Sequence, residues 1–330
     1  MKCERPLLTC LVVTLLWSPS ARTQEFPVLT GPYLGQEEPG LTAKLFAPDL
    51  LMSPLGLSFT PDGKELYYAS WQGEPRVRIM VMREVDGRWT ESTTPRFSGT
   101  YEDWDLNLSP EGSRLYFSSK RPRAGEGEPR TDADIWYVER NTSGEWGEPQ
   151  NLGSPVNTDG DEVHPTVTSD GTVYFFSGYE GGMWGADIYG SRLVDGRYTR
   201  VENLGPTINS AESEMDPFVA PDESYLVFHS RAQGGYGEND LFISFRQEDG
   251  SWSQAKNLGP EVNTTAGEMR PFVTADENYL FFASSRVSKE VLPAEPQNFD
   301  AIRERLQQPG NGLQDIYWVS AAVISDSLNE

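Results

Sequence analysis

The sequence predicts an all-β fold: a five-bladed β-propeller closed by pairing of an N-terminal strand with the last blade. Three observations predict it. A set of short signals recurs in fixed order along 330 residues, with turn acids at 62, 111, 170, 222 and 276, spaced 49, 59, 52 and 54. The strand-length runs between them are apolar at consecutive positions, as in strands buried on both faces. The last repeat lacks an outer strand, and a segment of the right kind stands unused before the first.

The chain opens on Lys2 and Arg5, then an apolar run from Leu7 to Trp17, then the small residues of Ser18-Pro19-Ser20-Ala21. That order is expected of a cleaved signal peptide over residues 1–23, and the run is short for a membrane span. Both cysteines, Cys3 and Cys10, fall inside it, so the mature chain is expected to use neither disulfides nor thiolate chemistry. Residues 24–40 are expected to be a linker and 41–330 the propeller. The repeats are placed at about 54–104, 105–164, 165–216, 217–270 and 271–320, with 41–47 as the outer strand of the last.

Each repeat has a local logic. It begins at a turn such as Thr60-Pro61-Asp62-Gly63 or Ser109-Pro110-Glu111-Gly112, where Asp and Gly tolerate positive φ. A strand such as Leu66-Tyr67-Tyr68-Ala69 or Leu226-Val227-Phe228 follows. An Asp-led strand comes next: Asp134-Ile135-Trp136-Tyr137, Asp187-Ile188-Tyr189, Asp240-Leu241-Phe242 and Asp315-Ile316-Tyr317. An Asp-Gly-type turn with an aromatic closes the unit, as in Asp86-Gly87-Arg88-Trp89, and is expected to carry the outer strand. Leu41 to Phe46 stands before Pro54 as Ala255 to Gly259 stands before Pro271, which places it as the missing strand and removes an open edge.

These residues carry a resemblance. The Asp-Gly turn, the Asp-Ile-Tyr strand, and Asn-Leu-Gly (151–153, 203–205, 257–259) followed by Val-Asn-Thr or Ile-Asn-Ser resemble the WD40-like PD40 repeat of TolB-like propellers. The resemblance spans residues 41–320. It implies an exported protein, periplasmic or secreted, that binds without turnover. The chain departs from TolB itself, with five repeats instead of six and no N-terminal α/β domain. It also lacks the Gly-x-Ser-x-Gly elbow of the hydrolases that share such propellers.

The net charge of −23 excludes affinity for a phosphate backbone, and hence nucleic acid, and leaves neutral, cationic or metal-bridged partners. The unusual connections all fall where the outer strand hands over to the next inner strand, and between the second and third strands. These loops share one face of a propeller. Just before the inner strand stands an acid in four repeats, Asp103, Glu162, Glu214 and Glu268, with Pro54 at that place in the first. Two positions on comes a column that varies: Gly56, Asp105, His164, Asp216 and Arg270. Both columns are expected to ring the channel mouth and bind ligand, with Trp71, Trp104 and Trp184 as stacking surfaces. The varying column is further expected to be removable without cost to stability.

The partner is expected to be a cell-envelope protein, a peptide or a glycan, bound by a monomer. The alternative is a carboxylate-dependent glycoside hydrolase drawing on Asp105, Glu162, Glu214 and Asp216. No organic cofactor is expected. Asp159-Gly160-Asp161-Glu162 offers calcium-type oxygens without EF-hand spacing. Of the 2 histidines, His229 is expected to pack or pair locally after the second strand, and Lys120-Arg121, Arg231 and Arg286 are expected to pair with the recurring strand aspartates. Residues 287–314 are an insertion in which Asn298 caps a short helix with Phe299, Ile302 and Leu306 on one face.

Overall fold

The computed structural model describes residues 26–326, apart from 52, 72–75, 179–184, 232–233, 289–297 and 307. The signal segment 1–23 and Trp184 lie outside the described residues. Five four-stranded antiparallel sheets follow one another along the chain as the blades of a propeller. Their innermost strands are Pro54–Phe59, Asp103–Leu108, Glu162–Val167, Glu214–Val219 and Glu268–Val273. The second strands, such as Tyr225–Ser230 and Tyr279–Ser284, are buried at every position, because each faces a neighbouring blade on both sides. Among the described residues no helix is long and apolar enough to cross a membrane.

The ring closes as the repeat pattern predicts. Lys44–Leu45 forms the outer strand of the fifth blade, with Lys44 opposite Trp318 and Leu45 opposite Tyr317. Phe46 N–H then donates to Ile316 O at 2.8 Å. The Phe46 ring is almost fully buried, edge-on to Phe281 at 4.9 Å and to Trp318 at 5.2 Å. The first and last blades thus share one aromatic cluster with Phe59.

Three expectations change. Residues 26–40 do not run free as a linker. Tyr33 packs edge-on to Phe59 and Tyr279, Leu34 is buried, and Trp89 Nε1 donates to Gly31 O at 2.9 Å. Their apolar side chains cover the seam that the closing strand leaves open. The blades also begin at 103, 162, 214 and 268, so the boundaries set at 105, 165, 217 and 271 cut through inner strands.

The Asp-Gly-aromatic segments, lastly, supply the outer strand only in the first blade, where Arg88–Trp89 is the fourth strand of the sheet. In the next three blades they fold back on the third strand as hairpin tips, with Arg140 bridging Trp146, Leu193 opposite Tyr198 and Arg246 bridging Trp252. There the outer strands come later, at Gln150–Asn151, Glu202–Asn203 and Lys256–Asn257, and in the first blade Thr93 also bridges Val81. Each hairpin aromatic instead ties a blade to the one before it. Trp146 Nε1 donates to Tyr67 OH at 2.9 Å, and Trp252 stands edge-on to Tyr174 at 6.3 Å.

The repeated Asn-Leu-Gly and Val-Asn-Thr signals form a closed hydrogen-bond device. Asn151, Asn203 and Asn257 each donate to the strand aspartate, Asp134, Asp187 or Asp240, at 2.7–2.8 Å. Asn157, Asn209 and Asn263 each accept from and donate to one strand residue, Ile135, Ile188 or Leu241. The recurring aspartates therefore serve the outer strand. Arg121 and Arg286 do not pair with them; their guanidinium groups bind Asp103 and Glu268. Asn107 and Asn263, both in glycosylation sequons, are buried, whereas Asn141 is exposed.

Candidate functional site

The two columns part company at a bulge. In four blades the register between inner and second strand shifts immediately after the first residues: at 104–107, 163–166, 215–218 and 269–272. The residue at each shift has a left-handed backbone: Asp105 (φ 47), His164 (φ 54), Asp216 (φ 52) and Arg270 (φ 53). A non-glycine held there costs about 1–3 kcal/mol, so the surrounding strands must impose it. Four such residues at equivalent positions turn side chains of three kinds, two of them aspartate, into the channel.

There they meet. Arg270 Nε donates to Asp105 Oδ1 at 2.8 Å, across 165 residues of sequence. Arg270 N–H donates to Asp216 Oδ2 at 3.2 Å. His164 Nδ1 lies 3.6 Å from Asp105 Oδ1 and 3.3 Å from Asp216 Oδ1. In the first blade the column holds Gly56, and a Cβ there would approach Arg270 Cδ to 3.0 Å, so the missing side chain makes room for the arginine.

His229 belongs to this group as well. It sits on the second strand of the fourth blade opposite Met215, and its Nδ1 lies 3.0 Å from Asp216 Oδ2. Both histidines of the chain therefore converge on one carboxylate. The residues paired at the same place in other blades are Ala69, Ser118, Phe176 and Ala283, so the signal was a histidine where the repeat otherwise has small or apolar residues.

The electrostatics follow from burial and pairing. Burial opposes charge on Asp105, but Arg270 and then His164 outweigh it and hold the carboxyl below its usual range. Burial likewise opposes charge on Asp216, which His164, His229 and Arg270 together hold well below that range. Burial works against the Arg270 guanidinium, and the two carboxylates raise it above its ordinary value. Asp105 and Arg270 are thus joined by a short ion pair, and both histidines lie against Asp216. Truncating Arg270 or either aspartate is expected to cost stability, against the expectation from the sequence.

The other column lies elsewhere. Asp103 accepts from Ser98 Oγ, Ser119 Oγ and Arg121. Glu162 accepts from Thr158 N–H and Oγ1, Glu214 from Ser210 N–H and Oγ, and Glu268 from Thr264 N–H and Oγ1. All four are buried beneath the loop that precedes their own strand and hold its end. Asp161 Oδ1 accepts from Ala133 N–H, Glu162 is committed to Thr158, and Asp159 is exposed. These oxygens do not converge as a calcium cage would require.

Of the expected stacking surfaces, Trp71 is 50% exposed. Trp104 is half-buried with Lys120 Nζ 5.7 Å over its ring. The channel is blocked toward the opposite face by Phe59, Leu108, Val167, Phe218 and Phe272, which leave a void of only about 40 Å³. The long loops lie at the other end of the inner strands, on the side of Asp105, His164, Asp216 and Arg270. Two cavities of about 440 Å³ lie on the other face. Their acids Asp62 and Asp276 hold their own turns, through Thr60 and Lys64 and through Thr274 and Asn278.

Comparison with solved structures finds similarities at low identity. TolB from Agrobacterium tumefaciens superposes with a TM-score of 0.47 at 15% identity, covering 81% of this chain and 90% of that one. TolB from Acinetobacter baumannii gives 0.44 at 14% identity, covering 81% of this chain but 57% of the other. An α-L-arabinofuranosidase from Lactobacillus brevis gives 0.49 at 12%, covering 81% and 91%. At such identities the likeness concerns the fold alone. No family model and no curated protein matches the sequence.

Proposed function

We propose that this chain is an exported binding module, working as a monomer in the periplasm or outside the cell, that takes a peptide or protein segment across its channel mouth. The observation that carries this reading is the apolar surface beside the polar ring. In the insertion after the second strand of blade five, Asn298 caps the helix Phe299–Arg305 by accepting from Ala301 N–H at 2.9 Å. No residue of that helix is buried, and Phe299 is 70% exposed. Ile302, Leu306 and Leu313 are exposed with it. Leu306 and Leu313 join Leu51 and Pro54 around a groove of about 330 Å³. Exposed apolar side chains grouped in this way suit a polypeptide partner. An envelope protein supplies such a segment, and a glycan has less use for an aliphatic groove.

The glycoside hydrolase alternative gains nothing from the geometry. Glu162 and Glu214 are committed to their loops, and Asp105 and Asp216 both favour the ionised form. Neither aspartate is kept protonated to act as the general acid.

Selection from a displayed peptide library checks the reading, run beside a glycan array with chelator present. Enriched peptides are expected to lose at least tenfold in affinity for Leu313→Asp and Trp71→Ala, two exposed sites whose replacement leaves the fold intact. Peptides indifferent to both changes, or saturable binding on the glycan array alone, contradict it.

A further inference from the structure

The ring contains an unfilled donor set. His164 is 6% exposed, and its Nδ1 makes no hydrogen bond, although two carboxylates lie within 3.6 Å. The imidazole is not aligned to donate to either; its nitrogen points between them. Asp105, His164 and Asp216 place one ligand atom each within 4.8 Å of one another. The separations from Nδ1, 3.6 and 3.3 Å, fit one ion held by all three. Bonds of about 2.0–2.1 Å at a tetrahedral centre put donors about 3.3–3.4 Å apart.

The surroundings are those of a supported site. The second oxygen of Asp216 accepts from Arg270 N–H and lies 3.0 Å from His229 Nδ1, which leaves Oδ1 aimed at His164. Arg270 Nε donates to Asp105 Oδ1, the oxygen that also lies nearest His164 Nδ1, and so fixes that carboxylate in place. Outer groups of this kind orient metal ligands and tune their affinity. Strand bulges in three different blades hold the three donors, so the site is rigid before any ion arrives.

We propose that Asp105, His164 and Asp216 bind one first-row divalent transition metal ion, of which zinc is the representative. A fourth position faces the mouth. An imidazole beside two carboxylates selects this class over calcium and magnesium, which prefer oxygen alone. The inference rests on the segment-binding reading only for the ion's role: its open position takes a carboxylate or carbonyl oxygen of the bound segment. The ion would let a chain of net charge −23 hold a carboxylate at that position.

The experiment uses the purified chain stripped with EDTA and offered zinc, cobalt, calcium or magnesium without any partner. One zinc per chain is expected to survive gel filtration, cobalt to give the strong visible absorption of tetrahedral coordination, and calcium and magnesium to be lost. The only 2 histidines of the chain are in this cluster, so background binding is low. His164→Gln and Asp216→Asn are expected to lower zinc affinity at least 100-fold. His229→Gln, outside the ion's own ligands, lowers it about 10–100-fold. Near-ultraviolet circular dichroism checks each variant's fold, and the wild-type arms stand without them. Failure to retain zinc, equal retention of calcium, or zinc binding unchanged in a folded His164→Gln overturns the proposal. Because the peptide selection is run with chelator, it is scored separately from this result.

Discussion

Phe46→Ala is expected to lower the unfolding free energy by about 3–5 kcal/mol, as for other buried aromatics truncated in a core. The ring lies at 2% exposure among Phe59, Phe281 and Trp318. These side chains come from the first and the last blade, so the cavity opens at the seam of the closed ring. The adjoining strand is only two residues long, Lys44–Leu45, and two hydrogen-bonded residues hold poorly without the side chain that anchors them. Denaturant unfolding gives the number. A loss under 1 kcal/mol would mean that the ring is closed by some other means.

Arg270→Ala is expected to cost roughly 3–5 kcal/mol, because it removes the guanidinium bonded to Asp105 and leaves Asp105 and Asp216, both buried, without their common cation; the backbone N–H bond to Asp216 remains. Gly56 adds to the loss, since its missing side chain leaves a space that only the arginine fills. Asp105→Ala alone is costly for the converse reason. The double variant is expected to recover at least 1 kcal/mol relative to the sum of the single losses, as groups in direct contact couple. Additive losses would show that the two side chains do not meet. The cycle reports on residues 165 positions apart, so a positive result also supports the order of the blades.

Much of the architecture was legible because the repeat is written in local chemistry. Turn residues, strand length and the Asn-Leu-Gly device each recur for reasons internal to one blade, and the closing strand could be placed by analogy within the chain. What was not legible depends on neighbours. The Asp-Gly-aromatic hairpins look like outer strands until Trp146 is seen reaching Tyr67 of the preceding blade. The helix in the insertion was foreseen from Asn298 and the spacing of Phe299, Ile302 and Leu306, which are local features.

The candidate site divides in the same way. Asp103, Glu162, Glu214 and Glu268 recur because each holds its own loop, and a feature repeated for structural reasons says little about ligand. Asp105, His164, Asp216 and Arg270 vary because each is one part of a single arrangement. No residue in that column announces a left-handed backbone, since the bulge is imposed by pairing with the second strand. His229 was missed for a related reason: its place beside Asp216 exists only once the register is known.

The central claim is that side chains from different blades converge on Asp216, and the imidazole NMR signals test it most directly. With only 2 histidines in the sequence, the spectrum contains two imidazoles, which His229→Gln assigns. Asp216→Asn is expected to move both sets of ring resonances in a protein whose fold is retained. If either imidazole is unaffected by that change, the two histidines do not share the carboxylate and the channel arrangement described above is wrong.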